Sequence, residues 1–376
     1  MTQTGASPTS PYLSLPPWPR APRYEVEATV WAHRPVVGNE YEIVFHAPAV
    51  AQTARPGQFV EILFGDNYAP LVRRPFSLYR VDPLSGTCSV LYLARGSFTS
   101  GLARKQEGDV VSLLGPLGRP FHWTSDTEIQ HILVAGGLGA PPLYFLAAEL
   151  CRNFAAAANP GPNAAGAVNA GLDAAGENDA GQWTEGARVE EAEAGPNAAG
   201  DDGVAADLPA GRSRGPRATE LDARHADSRA LTASLSGAER SRLVVINAAR
   251  TESLLVGLTE FGELDIALHV LTDDGSRGVK GMATDLLTAL LEAERCTAAG
   301  MALYACGPMP MLRSVGEIAI ARGIPCQLSI ETTMPCGIGL CQGCATAVHD
   351  PASPSGHSFA LACVDGPVFE ARDLVW

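Results

Sequence analysis

Four cysteines in the last fifth of the chain are spaced for metal chemistry. Cys336, Cys341 and Cys344 follow the pattern C-x4-C-x2-C, and Cys363 comes after eighteen intervening residues. This is the spacing of a plant-type 2Fe–2S centre. Two irons bridged by two sulfides need four thiolates converging on one small volume. A tight loop can supply three of them, and the fourth returns from elsewhere. Gly337, Gly339 and Gly343 predict positive φ values in the loop and backbone N–H groups turned towards the sulfurs. Such hydrogen bonds stabilise the reduced cluster and tune its potential. A structural zinc site is the first competing use, but its usual spacing is two C-x2-C pairs and only one occurs here. A disulfide is the second, and it sits poorly with an otherwise cytosolic composition.

A second set of residues has the chemistry of anion binding. Arg74-Pro75-Phe76-Ser77 places a cation and a hydroxyl three residues apart near a strand, and Phe98-Thr99 lies in the glycine-flanked stretch 96–101. Together they suit a pyrophosphate, although an arginine taken alone at a strand edge is more often a solvated charge. In Gly136-Gly137-Leu138-Gly139-Ala140-Pro141-Pro142, a tight turn opens a helix, bringing backbone amides and a helix N-terminus to one point. Prolines occupy the third-glycine region of G-x-G-x-x-G, so a plain strand–helix turn is the competing account. Cys306-Gly307-Pro308-Met309 ends a strand at the carboxyl edge, where open α/β sheets bind ligands. Cys306 then lies beside a nicotinamide ring, or is an inert buried thiol.

The elements that must carry these residues fall into two grammars. From 24 to about 123 short strands (24–31, 40–46, 58–63, 76–80 and 87–93 among them) are punctuated by Pro-Gly, Gly-Asp and Ser-Gly turns, predicting a small antiparallel barrel. From 130 onward, strands 131–135, 242–247, 266–271, 301–305 and 326–330 alternate with helices 140–153, 251–261, 282–293 and 309–321. That is a parallel α/β sheet. The fold class is therefore multidomain β plus α/β. A flexible tail covers 1–23, a β-barrel 24–126, a Rossmann-like α/β domain 127–330 and a small cluster domain 331–376. The α/β part is interrupted at 155–239 by an Ala/Gly/Asn/Asp/Glu-rich stretch that repeats Gly-Pro-Asn-Ala-Ala-Gly. It holds too few large apolar residues to offset an ordering cost of about 1–2 kcal/mol per residue. It reads as a disordered insertion in which Trp183 alone has docking character.

At 376 residues the chain has room for two or three cores, and its net charge of −14 disfavours nucleic acid and anionic membrane surfaces. The apolar stretch 129–150 reaches membrane length but contains His131, glycines and Pro141-Pro142, so it reads as buried strand and helix. The tail lacks a signal pattern. Cys88, Cys151, Cys296, Cys306 and Cys326 are scattered without pairing logic, which suits a reducing cytoplasm.

In this order the pieces resemble the ferredoxin-reductase superfamily and, within it, the electron-transfer subunits of NAD-linked heteromeric dihydroorotate dehydrogenases. The residues carrying the likeness are Arg74–Ser77, 136–143, 272–276, 306–312, 336–344 and Cys363-Val364-Asp365-Gly366-Pro367-Val368-Phe369. The resemblance implies that the barrel binds FAD. Arg74 and Ser77 would contact its phosphates, Leu91-Tyr92-Leu93 its isoalloxazine region and Phe98-Thr99 its pyrophosphate, although the family usually has Gly-Thr at the last position. It implies NAD at Gly136, Gly137, Gly139, Cys306, Gly307 and Pro308, the 2Fe–2S cluster on the four cysteines, and a heterotetramer with an FMN-containing catalytic subunit. A nicotinamide takes two electrons as hydride, a 2Fe–2S cluster passes one, and a flavin handles both. No orotate site is visible, so the chain alone is not expected to oxidise dihydroorotate. Another flavin/iron–sulfur reductase subunit, sulfur- or ferredoxin-linked, and a zinc-stabilised binding module are the rival readings.

Overall fold

The computed structural model describes residues 22–36, 38–65, 72–124, 126, 128–158, 241–293 and 298–376. Most of the expected tail lies outside these residues. So does the expected insertion from 159 onward, with Trp183.

Strands β1 (Tyr24–Pro35), β2 (Glu40–His46), β3 (Phe59–Leu63), β4 (Arg74–Asp82), β5 (Thr87–Leu93) and β6 (Val110–Leu117) close a barrel in the order β1-β2-β5-β4-β3-β6. Alternation does the sorting. Ile43 and Phe45 of β2, Val60 and Ile62 of β3, Leu78 of β4 and Val90 of β5 fill the interior. Two short helices were not foreseen, α1 (Pro48–Thr53) and α2 (Ser97–Leu102). Pro48 opens the first, where a missing N–H costs nothing. The second contains Phe98 and Thr99, so the expected open turn is a helical one. Strand β4 also begins earlier than expected and takes in Arg74 and Pro75.

The second body is a sheet in the order β10-β9-β8-β7-β11-β12-β15. Its strands are β7 (Gln130–Gly136), β8 (Leu243–Ala249), β9 (Ala267–Thr272), β10 (Val279–Lys280), β11 (Met301–Cys306), β12 (Cys326–Ser329) and β15 (Val368–Glu370). The pairs from β10 to β12 are parallel, and β15 adds antiparallel to β12. Both faces are covered, which explains the unbroken apolar run of β7: Ile132 and Val134 enter one core, Leu133 and Ala135 the other. Helix α3 (Ala140–Ala158) follows the glycine turn and runs five residues past its expected end. The expected helix 251–261 is broken into a 3-10 turn, Glu252–Leu254, and a short helix, Leu258–Gly262. Gly257 sits at φ +75° between them, and Asn247 Nδ2 donates to Val256 O at 2.8 Å.

The C-terminal segment, expected as the small cluster domain 331–376, packs directly on the sheet. It forms the hairpin β13 (Ala345–His349) and β14 (His357–Leu361), then donates β15 to the sheet edge. Cys344, Ala362, Cys363, Phe369 and Leu374 share one apolar core with Leu328, Ile330 and Met334.

Candidate functional site

The cysteine loop hangs on the end of β12. Gly337 and Gly339 take φ +66° and +86°, as expected, but the third left-handed residue is Gln342 at +57° rather than Gly343. The turn delivers amides to the sulfurs. Cys341 N donates to Cys336 Sγ, Gly343 N to Cys341 Sγ and Cys363 N to Cys344 Sγ, each at 3.4 Å. Burial opposes ionisation of the Cys336 thiol. Even so, the N–H groups of Cys341, Ile338 and Leu340, with the Cys341 side chain, hold it down to about 7. The sulfurs fall into two neighbouring pairs, Cys336 with Cys341 and Cys344 with Cys363, the second 3.2 Å apart. Among the described residues no three His, Cys, Asp or Glu side chains are grouped around a point suited to one metal ion. Two thiols for each of two irons is the donor set of a binuclear cluster, so the residues fit a 2Fe–2S centre better than tetrahedral zinc.

The loop rests on the barrel. A Cβ on Gly337 would lie 2.7 Å from Glu61 Cγ and 2.8 Å from Leu117 Cδ1. Glu61 is fully buried, and its cross-strand partner on β4 is Pro75. Burial, then the nearby Cys336 thiol, push its carboxyl up to about 8, with Arg73 and Arg74 opposing. The cysteine loop therefore sits one strand away from Arg74-Pro75-Phe76-Ser77.

Around that segment the expected residues separate by side. The Arg74 guanidinium lies over the Phe98 ring, 5.7 Å from its centre, and among the described residues donates to the Val72 and Arg73 carbonyls. Phe98 itself is buried against Phe64 and Phe76, so position 98 offers backbone rather than side chain to a phosphate. Thr99 Oγ1 accepts from Arg95 N and Gly96 N, which fixes the entry to α2. Tyr92 points into the barrel, stacked on Tyr41 with its hydroxyl 3.0 Å from His33 Nε2. Leu91 faces outward and joins the apolar cluster that also holds Tyr79, Tyr304 and Cys306. Strand alternation thus splits the expected Leu91-Tyr92-Leu93 trio: Leu91 and Leu93 share the outer face and Tyr92 belongs to the barrel core. The exposed guanidinium on its aromatic shelf fits a phosphate-bearing flavin.

The fourth group assembles from two distant stretches. Gly136 ends β7, Gly137 turns at φ +55°, and Gly139 lies on the Cys306–Gly307 peptide, 2.6 Å from Gly307 N for an added Cβ. A Cβ on Gly136 would meet Pro308 Cδ and Met311 Sδ at 2.8 Å. Only glycines permit this approach, and it builds a backbone-walled cradle at the carboxyl edge of the sheet. Burial drives the Cys306 thiol up to about 12, so it stays neutral there.

The sequence offered little signal for the polar seam between the barrel and the sheet. Arg80 lies between the rings of Tyr79 and Tyr144, 5.2 Å from each centre, with Glu42 at 3.7 Å and Glu260 at 3.8 Å. Glu40, Glu42 and Glu260 are all buried. Their places in strands and helix read as solvent-facing, because the surface that covers them comes from the other body. Glu61 had one cue, a carboxylate set between Val60 and Ile62. Among the described residues no helix is long and apolar enough to cross a membrane.

Residues 331–375 match the family described as the iron–sulfur cluster binding domain of dihydroorotate dehydrogenase B. The chain is 30% identical over 349 residues to the "Dihydroorotate dehydrogenase B (NAD(+)), electron transfer subunit" of Geobacillus kaustophilus, covering 92% of this chain and 97% of that one. The protein of the same name from Geobacillus thermodenitrificans is 31% identical over 348 residues, with the same coverage. Among solved structures, an NADH-dependent reduced ferredoxin-NADP oxidoreductase aligns over 93% of this chain and 90% of its own at 22% identity and a TM-score of 0.59, a likeness of fold.

Proposed function

The chain belongs to the family of dihydroorotate dehydrogenase B electron-transfer subunits, and from that premise we infer its function. It is the oxidoreductase subunit that carries electrons from a dihydroorotate-oxidising partner to NAD+. Its residues divide the work. Cys336, Cys341, Cys344 and Cys363 hold a 2Fe–2S cluster and receive single electrons from an FMN-bearing catalytic subunit. Arg74 and Ser77 bind the phosphates of FAD, with the α2 backbone at Phe98-Thr99 beside them, and Leu91 and Leu93 line the ring region. Gly136, Gly137, Gly139, Cys306, Gly307 and Pro308 seat NAD+. Bound FAD supplies the conversion between one-electron and hydride traffic. The division at 24–126, 127–330 and 331–376 follows these three tasks, and the assembly is a cytoplasmic heterotetramer with the catalytic subunit.

The observation that carries this reading is the seating of Gly337 on Glu61, whose cross-strand partner is Pro75. It brings the cysteine loop within one strand of Arg74–Ser77, which supports a short path between cluster and flavin. Reconstitution tests it. Alone, the loaded subunit oxidises NADH with artificial acceptors and leaves dihydroorotate untouched. With the FMN-bearing subunit of the same source, NADH forms from dihydroorotate and NAD+, and Cys344→Ser abolishes that coupling. No coupling from the intact pair, with FAD and cluster both bound, would favour a subunit of another flavin/iron–sulfur reductase. A colourless, zinc-loaded protein would remove the redox reading altogether.

A further inference from the structure

Glu61 is a carboxylic side chain in a place where carboxylic side chains do not ordinarily survive. It is 0% exposed, and neither of its carboxyl oxygens has a hydrogen-bond partner among the described residues. Its neighbours on β3, Val60 and Ile62, are barrel core, and its own side chain points the other way, under the cysteine loop. The two nearby arginines are bonded elsewhere. Arg73 donates to Glu25 and to the carbonyl and hydroxyl of Ser112, while Arg74 donates to the carbonyls of Val72 and Arg73. A buried polar group without a partner costs about 1–3 kcal/mol. A leucine would fill the same space without that cost.

The loop above it is built to receive hydrogen bonds. Its sulfurs already take the amides of Cys341, Gly343 and Cys363. Gly337, the residue directly after Cys336, touches Glu61, so the carboxyl lies at the side of the shell where Cys336 sits. Hydrogen bonds to cluster sulfurs raise the reduction potential by stabilising the added negative charge of the reduced state.

Resting on the 2Fe–2S reading above, we propose that Glu61 is a positioning residue of the cluster. With the cluster in place, the otherwise unpartnered carboxyl, as the neutral acid, donates a hydrogen bond to the sulfurs on the Cys336 side, and through that bond and its contact with Gly337 it seats the loop on the flavin barrel and raises the cluster potential. The barrel wall thereby helps set the redox step between cluster and flavin.

The test is an EPR-monitored redox titration of the full-length chain in complex with its partner subunit, for the parent, Glu61→Gln and Glu61→Leu. Glutamine keeps a donor at nearly the same position and leucine removes it while filling the volume. The expected result is a glutamine variant that titrates with the parent. The leucine variant's ratio of reduced to oxidised cluster at a fixed potential is expected to fall about tenfold, which is about 59 mV for one electron. FAD content stays at the parent level in both. Loss of the cluster in the leucine variant, with parent-like behaviour in the glutamine variant, supports the same bond. Superimposable titrations for all three, equal shifts in both variants, or loss of the cluster from both would overturn it, leaving Glu61 a spacer. A parent preparation without any 2Fe–2S signal would instead sink the cluster reading itself.

Discussion

The backbone of Gly139 lies on the carbonyl of Cys306, so close that a side chain at 139 would overlap that oxygen. The two residues are far apart in sequence: Cys306 closes β11, and Gly139 lies in the turn that follows β7, the direct parallel neighbour of β11. Gly139→Ala is therefore expected to push the glycine turn off the Cys-Gly-Pro strand end. Overpacking of this kind costs about 1–3 kcal/mol. Chemical denaturation should show that loss, and the KM for NADH should rise while FAD content holds. An unchanged KM would detach the cradle from the nicotinamide.

Cys341 is the most exposed of the four cluster cysteines, whereas Cys344 and Cys363 are part of the sheet's core. Cys341→Ser is accordingly expected to abolish the visible and EPR signals of the cluster with little change in melting temperature. The apolar core that anchors the C-terminal segment is shared with β12, and Cys341 is no part of it. A global collapse in thermal unfolding, or a full cluster signal, would contradict this division.

Arg74 presents its guanidinium to solvent from the Phe98 ring. A charge-assisted bond to phosphate is worth about 1.5–3 kcal/mol. Arg74→Ala should thus weaken FAD retention by about one to two orders of magnitude, read by flavin released on gel filtration and by fluorescence titration. Parent-like affinity would make the arginine a solvated edge charge.

Glu40 supplies a pH dependence. Burial first, and then Glu260, raise its carboxyl from the ordinary 4.5 to about 7. The folded protein therefore keeps a proton that the unfolded chain has already released between those values. The stability this contributes is complete below about 4.5 and is lost as pH climbs to about 7. Burial raises Glu370 to about 7 too, in the same sense. In Glu40→Gln the decline of unfolding free energy across that window should be shallower, and the variant should be the more stable above pH 7. Identical slopes for parent and variant would remove Glu40 from the linkage.

Much of the molecule is legible in its sequence. The C-x4-C-x2-C spacing names its chemistry because a loop that short can only wrap its thiols around a compact centre. The change from period-two strands to strand–helix alternation divides barrel from sheet because each pattern buries a different face. Arg74, Ser77 and the two glycine-rich strand ends stand out as candidates for similar local reasons. Tertiary structure decided what lies between these pieces. Gly257 broke an apolar stretch that read as one helix, because its left-handed backbone suits the chain's course over Asn247. Val368–Glu370 joined the sheet because β12 offered an open edge. Glu40, Glu42 and Glu61 occupy positions that alternation assigns to the barrel's outer face, and sequence equates outer with wet. Only the docking of α3, the helix Leu258–Gly262 and the cysteine loop against that face makes those carboxylates buried. No local pattern records a surface supplied by residues so far along the chain.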